Sequence, residues 1–281
     1  DFSKVQQPLN GNGETKSLEQ FNRSLHFGQF TPRFSMQYLS SHNQLFYASV
    51  SKGYKAGGFN VSFLNNDDYL YSPEYNWNYE IGTKLSFLNN RLSADLSLFY
   101  IDWRNQQITN TIPTVGNVIR NAGRSRNKGI EASFQARPTK SWMMYMNYGY
   151  TDARFVHYQK EERGILKDYG GNYLPMVPRH TFSLTTGYSF YDICSWIDRL
   201  TLNAGVSVTG PIYWYEDNQA KQNPYALVNL RISINKGCFT WEVWSKNLTN
   251  TDYLSYYFVT SKAYAQKGKP ITLGTSVSIS L

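Results

Sequence analysis

The side chains in this 281-residue chain that could do covalent or metal chemistry are few: four histidines, two cysteines and a scatter of serines. Acyl transfer needs a serine beside a histidine, with a third group orienting the ring. His26, His42, His157 and His180 fall in loops, turns or at the start of an extended segment, and no such triad can be assembled around them. Cys194 and Cys238 are too few for a disulfide framework or a zinc site. Gly11-Asn12-Gly13 is not followed by the Gly-Lys-Ser of a phosphate loop. No cofactor is expected and the chain does not read as an enzyme. The chemistry on offer is recognition by aromatic rings, which give large and rigid contact area to a bulky ligand. Tyr213, Trp214 and Tyr215 are consecutive, and Tyr54, Phe59 and Tyr257 sit in other polar, glycine-bearing or aromatic connections. These six are the expected ligand contacts, with Trp214 first. The alternative role for each is ordinary packing within its loop.

What holds such loops is legible in the composition. Only 17% of residues are charged while 16% are aromatic, 23 of them tyrosine. Soluble domains carry about 25% charge. Mean hydropathy is nevertheless negative. The longest unbroken apolar run, Trp142 to Met146, is far short of the ~18 residues of a membrane helix. A polar average, many aromatics and little charge suit a wall with one lipid face and one aqueous face. The net charge of +8 comes from scattered Lys and Arg rather than a basic run or helix, which argues against a nucleic-acid partner. The chain starts at Asp1 with no apolar leader, so a mature or truncated start is expected.

Apolar and polar residues alternate at period two, the signature of half-buried strands. Trp77, Tyr79, Ile81, Thr83, Leu85 and Phe87 point one way, and Asn78, Glu80, Gly82, Lys84 and Ser86 the other. The pattern recurs from Leu92, Ile130, Leu200 and Leu273. With segments near 30–40, 43–53, 141–151, 180–190, 225–235 and 239–247, it predicts eleven strands. Connections alternate between short and long, the long ones near 54–74, 103–128, 152–178, 210–223 and 248–268. Short periplasmic turns opposite long extracellular loops characterise outer-membrane barrels. Soluble sandwiches and propellers also alternate, but their strands average five or six residues rather than about ten. The outward face carries Trp77, Tyr79, Tyr100, Trp142, Tyr148, Tyr150, Tyr188, Phe190, Phe239 and Trp241 near its ends, as membrane interfaces prefer. The fold class is therefore all-β: a transmembrane antiparallel up-and-down barrel, present in part, since an odd strand count does not suit bacterial single-chain closure. The polar stretch from Asp1 to His26 reads as an extracellular loop.

Two turns fix registers. A two-residue loop at Asn89–Asn90 places Lys84 across from Asp95. A two-residue loop at Lys236–Gly237 places Arg231 across from Glu242. Each sets opposite charges together on the polar face. Cys194 and Cys238 fall about two strand spacings apart, ~10 Å, and are expected as free thiols.

Tyr47 to Asn60, with its Ser-Lys-Gly-Tyr-Lys-Ala-Gly-Gly run, resembles a strand and loop of TonB-dependent outer-membrane receptors. Asn78 to Lys84, Asn127 to Glu131 and Asn247 to Tyr253 resemble other segments of the same family, and the likeness runs from Thr31 to Leu281. Many such barrels end in Phe; this sequence ends in Leu281. The resemblance implies the C-terminal portion of a barrel of about 22 strands blocked by a plug, with neither the plug nor a TonB-engaging segment recognisable in these residues. It implies outer-membrane uptake of a bulky scarce nutrient, a ferric siderophore or similar iron complex. A cobalamin or glycan importer, a passive porin and a ligand-binding barrel are the alternatives. The implied partners are the TonB complex, the plug, outer-membrane lipid and lipopolysaccharide, and an iron chelate. Glu80, Lys84, Asp95, Glu131, Arg137, Arg231 and Glu242 would solvate the lumen wall and hydrogen-bond the plug. On the extracellular side, Lys55, Arg104, Arg124, Arg126, Lys128, Arg154, Arg163, Lys167, Arg179 and Lys262 could steer an anionic chelate or bind lipopolysaccharide phosphates.

Overall fold

A computed structural model describes residues 24–40, 44–63, 66–112, 115–121, 123–162, 165–259 and 262–280. The loop expected from Asp1 to His26 lies almost wholly outside them. Eleven strands form one antiparallel sheet with every neighbour consecutive in the chain: Arg33–Leu39, Leu45–Lys55, Glu74–Phe87, Leu92–Arg104, Arg124–Ala136, Trp142–His157, His180–Cys194, Ile197–Thr209, Tyr225–Lys236, Phe239–Lys246 and Thr272–Ile279. The only helix among the described residues is a single 3-10 turn, Asn66–Asp68. No helix there is long and apolar enough to cross a membrane, which says nothing about crossing by strands.

Side chains alternate across a strand, so a row of directly paired residues shares one face. One row reads Leu85, Ala94, Phe134, Met146, Leu184, Val206, Val228 across seven strands. The row beside it, on the other face, reads Lys84, Asp95, Ser133, Asn147, Ser183, Ser207, Leu227. The sheet is thus apolar on one face and polar on the other. Large apolar side chains of the first face stand in the open: Ile81, Tyr79, Leu202, Ile232, Trp241 and Val277 are all exposed. Such an expanse is unfavourable in water and favourable against lipid.

On the polar face, Tyr47 donates a hydrogen bond to Glu80 at 2.7 Å. Its ring lies over Gly82, its direct partner; Phe99 covers Gly129 and Trp244 covers Gly274 in the same way. A Cβ at any of the three would strike the ring. Glycine there lets an aromatic lie flat along the wall.

The Asn89–Asn90 turn is as the sequence predicts. Leu88, Asn89 and Asn90 all have positive φ, 52°, 54° and 64°, in a tight turn where the Arg91 amide donates to the Leu88 carbonyl, and Lys84 pairs with Asp95. The second hairpin differs. Its loop is Gly237–Cys238, with Lys236 opposite Phe239, so Arg231 faces Trp244 and Ser233 faces Glu242. Gly237, at φ 54°, takes the first central position, where a type II′ turn places glycine. Asp198 of the neighbouring strand clamps this turn, accepting from the Gly237 amide and the Lys236 ammonium, each at 2.7 Å. The shift is two residues, so each side chain keeps its face. Arg231 and Glu242 still meet, diagonally at 3.8 Å, and Ser233 donates to Glu242 at 2.7 Å.

Arg33–Leu39 pairs with Leu45–Lys55 alone, and Thr272–Ile279 with Phe239–Lys246 alone, among the described residues. The sheet is open at both edges, as the odd strand count predicts. Cys194 and Cys238 are free and exposed at the short-turn end. A maleimide reagent is therefore expected to modify both in the folded protein without denaturant, read by peptide mass. Protection of either would contradict this placement.

Candidate functional site

At the end opposite the short turns, each of the five long connections folds into a two-stranded ribbon: Gly58–Phe59 with Leu70–Tyr71, Gln107–Ile112 with Gly116–Asn121, Gln159–Glu162 with Ile165–Asp168, Ile212–Tyr213 with Lys221–Gln222, and Leu254–Val259 with Ala263–Lys267. Sequence reading treats these stretches as structureless. The signal that could have shown one is the β-branched run from Gln107 to Ile112, separated from Val118 and Ile119 by Pro113 to Gly116.

The ribbons are knitted to each other. Asn60 donates to the Asp68 and Ile119 carbonyls at 2.6 and 2.7 Å and accepts the Ile119 amide at 2.8 Å. Buried Asp68 takes Arg120 as a bidentate partner at 2.5 and 2.6 Å. Two connections distant in sequence thus become one unit. An Asp68→Asn change leaves Arg120 facing a neutral amide; charged pairing of this kind contributes about 1–3 kcal/mol. Amide exchange is expected to speed up across 58–71 and 107–121 while the sheet stays protected; unchanged exchange there would contradict the role given to the pair.

Further round, Ala153, Phe155, Tyr158, Tyr169 and Leu174 form a buried cluster, with Ile108 and Val177 against it. Among the described residues this buried cluster sits at the long-loop end, where the strand Trp142–His157 meets the third connection. Asn218 clamps Tyr173, accepting its amide at 2.7 Å and donating to its carbonyl at 2.9 Å. Tyr213 stacks on Tyr173 with ring centroids 5.5 Å apart and planes 8° from parallel.

The six aromatics singled out above are brought together only in part. Trp214, Tyr215 and Tyr257 meet where the fourth and fifth connections come together, while Tyr213 stacks on Tyr173 of the third. Trp214 lies 6.4 Å from both Tyr256 and Tyr257, and Tyr215 lies edge-on to Tyr257 at 6.3 Å. The Tyr215 hydroxyl accepts the Val259 amide. Burial pushes the Tyr215 phenol up from its ordinary value, so the ring is neutral at physiological pH. Tyr54 and Phe59 lie elsewhere: Tyr54 pairs with Tyr75 in the sheet, and Phe59 packs on Tyr69 at 5.2 Å. Trp214 differs from its expected place as the foremost contact. It is 5% exposed, and its Nε1 has no hydrogen-bond partner among the described residues. It supports the cluster from within, and Tyr256, Phe258 and Tyr264, which sequence reading weighed less or passed over, are the rings in the open. Phe258 and Tyr264 stack at 5.0 Å across their ribbon. Among the described residues, no group of three His, Cys, Asp or Glu is placed to hold a metal ion.

Residues 3–250 match the family model described as TonB dependent receptor-like, beta-barrel. The chain belongs to the TonB-dependent receptor family. Its barrel is that of an outer-membrane protein, with the lipid-facing and lumen-facing rows described above. It is 26% identical over 241 residues to a probable TonB-dependent siderophore receptor of Acinetobacter baumannii, covering 80% of this chain and 30% of that protein. It is 26% identical over 262 residues to the pesticin receptor of Yersinia pestis, covering 89% of this chain and 36% of that one. The crystal structure of the ferric yersiniabactin uptake receptor from Yersinia pestis superposes with a TM-score of 0.74 at 24% identity, over 88% of this chain and 36% of that one. The chain thus spans about a third of the length of these TonB-dependent receptors.

Proposed function

We propose that this chain forms part of the barrel of a receptor that takes up a ferric siderophore or similar iron complex across the outer membrane, coupled to TonB. The observation that carries the reading is the match to relatives named for such ligands, among them receptors for ferrichrome and ferric pyoverdine. The architecture agrees with it. A polar wall lines one face of the sheet, and interlocked aromatic loops stand at its far end. In this reading Tyr213, Tyr215 and Tyr257, supported by Trp214, belong to the ligand surface, with Phe59 at a second position around the rim; Tyr54, paired with Tyr75, stands on the outward face and is left out of it. The strands that complete the sheet, the plug and the TonB-engaging segment are supplied by the rest of the receptor, of which this chain is the C-terminal part of the barrel. Its work is binding and passage, with no bond made or broken in the ligand.

The test is a binding titration of the full receptor against iron-loaded catecholate, hydroxamate and mixed chelates, with cobalamin and oligosaccharides in parallel. Saturable binding of an iron chelate is the expected result. Binding of cobalamin or a glycan instead, or diffusion of small solutes with no saturable binding at all, would replace this reading with an importer of another cargo or a porin.

A further inference from the structure

The strand His180–Cys194 outruns one of its neighbours at the short-turn end. It pairs with Trp142–His157 only down to Tyr188, opposite Trp142, and the last bond runs from the Ser189 amide to the Ser141 carbonyl at 2.8 Å. From Phe190 to Cys194 its partner among the described residues is the returning strand Ile197–Thr209 alone. That strand is covered in turn, by Tyr225–Lys236 and by the turn at Gly237 that Asp198 grips. One edge of the hairpin is therefore free. Backbone groups alternate between the two sides of an antiparallel strand, so the Tyr191 amide, two residues on from Ser189, points into the open.

The tip of this hairpin is apolar although it stands in water. Asp198 and Lys236 fall, by alternation from the paired Leu200 and Ile234, on the outward face, where they bridge at 2.7 Å. A charged side chain is costly against hydrocarbon, so this pair marks the end of the lipid band. Beyond it Trp196 is 83% exposed, and no large hydrophobic side chain among the described residues is more so. Tyr191 and Ile193 are 51% and 45% exposed. An open edge in water is normally blunted by charge, proline or a covering loop. Here the five edge residues carry one charge, Asp192. Next to the edge lies the turn 137–141, whose Arg137 and Lys140 are exposed and have no carboxylate partner among the described residues.

We propose that this edge is a docking site for an extended, acidic segment of a periplasmic protein, which adds as a strand beside Phe190–Cys194. The partner's backbone pairs with the open groups of Tyr191, its apolar side chains lie against Ile193 and Trp196, and its carboxylates meet Lys140 and Arg137. In strand addition of this kind the main-chain bonds supply affinity and the side chains supply choice. Position fixes the compartment, since the short turns of outer-membrane barrels lie in the periplasm. Charge fixes the sign, since the turn that the added strand abuts offers two cations and no carboxylate. The proposal rests on the outer-membrane placement of the barrel and is independent of which nutrient it carries.

The experiment titrates the full receptor, in detergent, against a short fluorescent peptide of alternating valine and glutamate, read by anisotropy. Saturable binding is expected. The peptide with lysine for glutamate should bind about tenfold more weakly or worse. So should the glutamate peptide with every amide N-methylated, which cannot pair with a strand edge. Tyr191→Pro removes a donor from the free edge and none from the ladder, and edge positions tolerate proline. Trp196→Ala removes the exposed ring. Each is expected to weaken binding about tenfold. Lys140→Glu should weaken the glutamate peptide and strengthen the lysine one. Folding of each variant is checked by gel mobility before and after boiling. If Tyr191→Pro does not fold, the N-methylated peptide tests the same bonds on the wild type. Absence of saturable binding, or equal binding of the N-methylated or the lysine peptide, would overturn the proposal. So would receptor dimers that Trp196→Ala dissolves, which would give the edge to a second copy. Iron-chelate binding is measured on the same samples. Its failure in the wild type would overturn the uptake reading and leave this one standing.

Discussion

Arginine at Val206 is expected to cripple the barrel, and arginine one residue on, at Ser207, to be tolerated. Val206 sits in the seven-strand apolar row, paired with Leu184 on one side and Val228 on the other. A charged side chain there enters hydrocarbon, at a cost of about 2–4 kcal/mol near the bilayer midplane. Ser207 lies on the opposite face, between Ser183 and Leu227 in the polar row, where a guanidinium meets the lumen. The comparison isolates face from position, because the two residues share a strand and a depth. The measurement is the folded fraction of the full receptor, read from gel mobility without boiling, together with its denaturant midpoint in lipid vesicles. Equal loss in both variants would mean that the two faces are not lipid and water.

Trp214→Ala is expected to have an effect of similar size, but a local one. The indole is 5% exposed and holds Tyr256 and Tyr257 against the fourth connection. Truncating a buried Trp costs about 3–5 kcal/mol, enough to separate the two ribbons without opening the sheet. Proteolysis and amide exchange should rise over 210–223 and 254–267 while the strands remain protected. Trp214→Phe should be far milder. It keeps most of the ring and removes an indole N–H that finds no partner among the described residues, a group whose burial costs about 1–3 kcal/mol. Tyr256→Ala, at a ring 42% exposed, should leave the loops intact. If Trp214→Ala leaves exchange in both connections unchanged, the indole does not hold them together.

Much of this architecture is written locally. Period-two alternation is a property of the extended backbone itself, so the assignment of Lys84, Asp95, Ser207 and Val206 to their faces follows from sequence without knowledge of any partner. The Asn89–Asn90 turn is equally local: two asparagines that tolerate positive φ favour a tight turn and with it the register of both strands. The Gly237 hairpin was open to sequence only up to parity. A shift of two residues keeps all side chains on their faces, so the pattern of faces does not distinguish the two registers. The observed one puts Gly237 at the first central position of a type II′ turn, and Asp198, 39 residues away in the chain, grips that turn. The loop layer is non-local throughout. Nothing near Asp68 announces Arg120, and nothing in Tyr213-Trp214-Tyr215 says that the middle ring is buried while Tyr256 and Phe258 stand open. A loop is positioned by side chains that it borrows from other loops. Sequence by itself therefore determined the strands, their faces and the family, because these depend on spacing along one chain. Tertiary structure alone decided which loops lock together and which aromatics are presented. It also decided which strand edge is left free at the short-turn end, because this depends on pairings between strands far apart in sequence.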